Sequence, residues 1–224
     1  MSISFVFSLI SIFLLIIFLF LSLLRYQNTF HLKFDMRNMF PFEVNFKQDK
    51  SRLILTNILL ILSTLMGIAF YILFSSTHSG IHILILVAGI MAISCNTLLV
   101  FINTTFLRSH LLLMIFAYVS NFALAAGIFY NAYKINSDIL LYPDTNQNLI
   151  IVSMVIAIIS GLLVFVLLMN PKLSLNTNAK IKEDVNGNKI YERPKFIVMA
   201  FSEWLLIFAQ FLSQIALIFY IISC

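Results

Sequence analysis

Six long apolar runs follow one another along this chain, at 3–24, 53–74, 81–103, 111–133, 149–169 and 197–222. A helix rising 1.5 Å per residue needs about 20 residues to cross the hydrocarbon core of a bilayer. Each run meets that length. Hydrocarbon offers the backbone no hydrogen-bond partners, so each crossing is expected to be a helix. The runs leave room for two sizeable loops, 25–52 and 170–196, and the expected organisation is a single polytopic membrane domain over 1–224. No proline falls inside a run, so few sharp kinks are expected. The composition agrees. Apolar residues make up 61% of the chain and charged ones 10%, against roughly 25% charged in a soluble domain. That balance excludes a water-soluble globule, a disordered chain and a nucleic-acid-binding domain.

The first run is expected to be a retained helix rather than a cleaved signal. Met1-Ser2-Ile3-Ser4 carries no basic side chain, and the run stops at Leu24-Arg25 without a small-residue cleavage motif.

Basic residues give the expected orientation, because Lys and Arg accumulate in cytoplasmic loops. Thirteen of the fourteen lie between runs one and two, three and four, or five and six. The exception is Lys134. Those three loops are expected in the cytoplasm and both termini outside. Abundant Ile, Phe, Asn and Lys point to a low-GC organism without naming a compartment, and a bacterial plasma membrane is the expected location. In both large loops acids interrupt the bases, so the net charge of +5 makes no nucleic-acid patch. Cys95 and Cys224 have no C-x-x-C partner, and neither a disulfide, a metal site nor prenylation is expected.

The last loop holds a hairpin signal, Asn186-Gly187. Its favoured register has a three-residue loop, 185–187, and pairs Glu183 with Lys189, Ile181 with Tyr191 and Lys180 with Glu192. Calcium binding is not expected there, since no Glu stands at the required spacing. The first loop alternates apolar and polar residues: Phe30, Leu32, Phe34 and Met36, then Phe40, Phe42, Val44 and Phe46 around Pro41. Period two predicts extended structure lying on the membrane surface or pairing with the other loop. Its functional reading is a docking platform for a protein partner, and its plainer reading is an interfacial loop with aromatic anchors.

Polar residues inside the runs are costly in hydrocarbon and usually face the bundle interior. They recur here at helical spacing. Run two has Asn57, Thr64 and Tyr71; run three has His82, Gly89, Asn96 and Asn103; run four has Tyr118 and Asn121. Run five has a small-residue seam, Ser153, Ala157, Ser160 and Gly161, suited to close helix approach. Run six has Glu203, Gln210 and Gln214 within a ~40° arc. The predicted intramembrane polar cluster is Glu203, Asn57, Asn96 and Asn121, with Thr64 and Gln210 above and Gln214 further along. Glu203 is the one acid within a run, which makes it the default functional candidate. Three roles compete for it: a proton or cation site, structural glue to Asn or Gln, or a shallow group reaching Arg193, Lys195 or headgroups. Trp204 beside it is expected to serve in packing. His78 and His82 stand four residues apart but lack a third ligand nearby, so no metal is expected.

No protease, P-loop or dinucleotide motif occurs, and His82 is taken as the only histidine in a run. No catalytic residue and no cofactor is expected. The fold expected is all-α, a six-transmembrane-helix bundle with a short cytoplasmic β-hairpin between the fifth and sixth helices. Its expected role is binding, as a subunit or as an accessory or protective component of a membrane complex. The alternative is a small-solute or ion transporter built on the Glu203 stripe, although no run shows the internal Pro or Gly pair of a broken helix.

Overall fold

The computed structural model describes residues 3–31, 33–45, 50–77, 82–102, 107–138, 145–168, 180–183, 189–192 and 195–223. Six helices dominate: α1 (Ile3–Phe30), α2 (Lys50–Thr77), α3 (His82–Phe101), α4 (Leu107–Ser137), α5 (Gln147–Leu168) and α6 (Val198–Ser223). All six are long and apolar enough to span a membrane. Two boundaries differ from the sequence reading in a way that matters. Helix α1 runs past Arg25, whose Nη1 donates to Thr56 Oγ1 of α2 at 3.1 Å. It is followed by His31 in the left-handed region (φ 53°), a conformation common just past a helix end. Helix α4 starts at Leu107, four residues before the apolar run, and so includes Arg108, Ser109 and His110.

Each helix packs on the next in sequence, and α6 also touches α4, α3 and α1. It is therefore the inner helix. Of its most apolar stretch 56% is buried, against 28% for α1 and for α5. The outward faces carry Phe13, Leu65, Ile83, Ile115 and Leu162, all exposed, and a lipid bilayer is the environment they fit. Tyr130 and Tyr133 stand exposed near the C-terminal end of α4, where aromatic rings suit a headgroup layer.

Small residues let the helices approach. Ser11 and Ser63 donate to each other's backbone carbonyls at 2.9 and 2.8 Å, which joins α1 to α2. Ser153 donates to the Ala216 carbonyl and Ser160 to the Ala209 carbonyl, each at 2.8 Å, so the seam foreseen on the fifth run faces α6. Gly89 of α3 lies under the Tyr71 ring of α2, where a Cβ would collide with it.

The first loop departs from its expected extended form. A turn ties Asn38 and Met39 to the Asp35 carbonyl, and Pro41–Asn45 forms a 3-10 helix. Arg37 donates backbone and side-chain N–H to Asp35, which holds that exposed carboxyl below the usual range. Pro41 has no N–H to give a strand ladder, and Glu43 Oε2 accepts the Phe40 N–H at 2.7 Å. The alternation instead inserts Phe40, Phe42 and Val44 into the end of the bundle, where all three are buried. Among the described residues this loop forms no sheet with the later one. There, Lys180–Glu183 (β1) and Lys189–Glu192 (β2) pair antiparallel, with Lys180 opposite Glu192 and Glu183 opposite Lys189. The Asn186-Gly187 turn lies outside the described residues.

Candidate functional site

The site grows from the inner face of α6. Glu203 sits one turn and a half into that helix and is fully buried. Its Oε1 is 2.6 Å from Nε2 of His110, also fully buried, in the first turn of α4. The other ring nitrogen, Nδ1, is 3.0 Å from the Ile102 carbonyl at the end of α3. A carbonyl only accepts, so Nδ1 carries a hydrogen. A single further proton is then shared between Nε2 and Oε1. Whether it rests on the imidazole or the carboxyl, the pair has no net charge. This neutrality is what lets two ionisable groups stand inside an apolar bundle.

Aromatic rings close the pair off. Phe40 and Phe42, from the 3-10 segment, each meet the imidazole edge-on with centroids 6.1 Å away. The loop is fastened over the site by two bonds to the start of α6. Ile197 N–H donates to the Arg37 carbonyl at 2.8 Å, and Trp204 Nε1 donates to the Met39 carbonyl at 2.8 Å. Phe34 packs edge-on against the same indole. Trp204 is thus a packing residue and also the peg that holds the loop. Inside, Glu203 Oε2 and the Tyr118 hydroxyl have no hydrogen-bond partner among the described residues.

Two turns further along α6 lies a second polar centre. Asn96 Nδ2 of α3 donates to Gln210 Oε1 at 2.6 Å and to the Leu206 carbonyl at 3.4 Å. These amides line a narrow cleft between α1, α2, α3 and α6. Thr64, Thr97, Ser11, Ser63 and Gln214 add polar atoms to its wall, and Phe18, Leu60 and Ile93 add apolar ones. The space suits about one or two water molecules. Asn96 Oδ1 and Gln214 Nε2 are buried there without partners among the described residues.

The predicted cluster therefore resolves into two centres. Asn96, Gln210, Gln214 and Thr64 come together, while Glu203 stands apart with a different partner. Asn121 donates to the Ala117 carbonyl of its own helix at 2.8 Å. Asn57 is half-buried on α2. Of the three roles weighed for Glu203, none named histidine. His110 was missed because Arg108 ended the apolar run and left it in a loop. The available signal was the buried face of α4: Tyr118, Ala117 and Met114, followed backwards at helical spacing, lead to His110. Cys95 is a buried free thiol. His78, the His82 side chain and Cys224 lie outside the described residues. Among the described residues no group of three His, Cys, Asp or Glu could hold a metal. No family model, no curated protein and no solved structure matches this chain.

Proposed function

We propose that the chain is a non-enzymatic component of a bacterial plasma membrane that acts by binding, as a subunit or as an accessory or protective partner of a membrane complex. On this reading the loops at 25–52 and 170–196 face the cytoplasm, where they offer a surface to a protein partner, and both termini lie outside. The observation that supports it is closure. The cleft admits little more than water, and the ionisable pair is covered by Phe40 and Phe42. Among the described residues neither arrangement offers space for a solute larger than water. Purification from native membranes followed by mass measurement with lipids retained tests the reading. A stable heteromer is expected, and a lone chain that accumulates labelled solute in liposomes would overturn it.

A second reading, translocation of a proton or ion along the Glu203 stripe, draws on one observation. Glu203 Oε2 is buried and has no partner among the described residues. Ionisable groups at such depth mark pathways in many membrane proteins. Reconstituted Glu203→Gln separates the two. A translocation site loses coupling, whereas a binding component keeps its partner. Orientation is tested by single-cysteine labelling in a background lacking Cys95 and Cys224. A label placed at residue 140 is expected to react only from outside.

A further inference from the structure

The loop at 33–45 covers a pair whose charge turns on one proton. The Ile102 carbonyl keeps a hydrogen on His110 Nδ1, and one more is shared between Nε2 and Glu203 Oε1. Both side chains are fully buried. With the shared proton the pair is neutral. Without it a carboxylate stands beside a neutral imidazole, and that negative charge is costly in an apolar setting. The titratable groups facing it from α4, α3 and the loop are Tyr118, Cys95 and Glu43, none of them cationic. Glu203 Oε2 and the Tyr118 hydroxyl both lack hydrogen-bond partners among the described residues, so the phenol does not meet the carboxyl. On α1, Arg25 reaches Thr56 and Tyr26 meets Phe34. Arg37, Arg108 and Lys195 are exposed to solvent.

The cover is a short segment. Its Arg37 and Met39 carbonyls bond to the start of α6, and Phe40 and Phe42 lie edge-on to the imidazole. His110 and Glu203 sit within the first two turns of their helices. Lifting the loop therefore brings water to both groups without unwinding α4 or α6. An opened pair titrates as free side chains do, the imidazole losing its proton near about pH 6.5. Above that pH the open form holds one proton fewer than the shut form. Closing then takes up a proton, and the ratio of shut to open falls about tenfold for each further pH unit. Between about pH 4.3 and 6.5 the two forms hold equal numbers of protons, and the ratio is level.

We propose that the loop at 33–45 is a pH-responsive strap, shut while His110 and Glu203 share a proton and released when that proton is lost. Release presents Phe40, Phe42 and Val44, which are buried when the strap is shut. The device rests on this pair and its cover alone. It goes beyond the binding role, since it would serve a subunit or a carrier equally.

The test uses the full chain in detergent micelles. Amide hydrogen exchange is followed by mass spectrometry from about pH 5.5 to about pH 9, with each rate corrected for the pH dependence of exchange in an open chain. Peptides covering 33–45 should open to a constant extent up to about pH 6.5 and about tenfold more per unit beyond it. The middle of α6 should stay protected throughout. Glu203→Gln gives Nε2 a neutral amide donor and removes the shared proton, so its loop should show no alkaline rise. His31→Gln removes the exposed imidazole next to the loop and should keep the rise. If Glu203→Gln does not fold, the profiles of the unaltered chain and of His31→Gln still decide. A level profile in the unaltered chain, a rise that persists in Glu203→Gln or vanishes in His31→Gln, or an equal loss of protection in α6 overturns the proposal.

Discussion

Glu203 and Gln210 both face inward from α6, about 10 Å apart at helical rise, yet their surroundings differ in kind. Glu203 meets an ionisable partner, His110, whose ring is flanked by two phenyl groups of a loop fastened at Arg37 and Met39. Gln210 meets a neutral amide and borders a cleft where an oxygen and a nitrogen remain free. Desolvating a charge costs several kcal/mol per ion, whereas a neutral polar group costs much less. The first centre sits under a fastened loop, and the second borders a cleft with room for about one or two waters. The ionisable partner at one centre and the neutral amide at the other match that difference in cost.

The comparison breaks most readily at the ionisable centre. Replacing His110 by Ala leaves Glu203 buried without its partner and should destabilise the fold by about 3–5 kcal/mol, read by reversible unfolding in mixed micelles. A loss below about 1 kcal/mol would mean that water or another group already serves the carboxyl. At the neutral centre Asn96→Ala should cost less, about 1–3 kcal/mol, because Gln210 loses a donor and no charge is stranded. Double-mutant cycles sharpen the contrast: coupling between His110 and Glu203 should exceed that between Asn96 and Gln210. Equal couplings would erase the distinction. Trp204→Phe keeps an aromatic ring but removes the bond to Met39, with an expected cost near 1 kcal/mol and faster proteolysis within 31–45. Unchanged proteolysis would show that the loop is held by apolar packing alone. Smallest is Ser160→Ala on the α5–α6 seam, at about 0.6 kcal/mol, and it should leave both polar centres unaffected.

How much of this could be read from residues alone depends on distance along the chain. The stripe of Glu203, Gln210 and Gln214 lies on one helix, so spacing placed all three inward, where they are buried. The serine seam of α5 was legible for the same reason. The partner of Glu203 lies 93 residues away, and no periodicity reports a contact between two helices. The error at His110 also had a local cause. Hydropathy ends a run at its first charges, but a helix continues through Arg108 toward the headgroups because its backbone bonds do not depend on apolar side chains. The first loop misled in the opposite sense. Alternation at Phe40, Phe42 and Val44 correctly marked residues that need burial, but Pro41 denied them a strand, and the core they joined was the bundle itself.

Trp204 is the only tryptophan in the chain, and its indole packs against the fastened loop, on Phe34, Met36 and Val44. Its emission therefore serves as an intrinsic optical gauge of whether that end of the bundle is shut. A red shift with partner, lipid or salt would register unlatching at a single known position, without any label added to the protein.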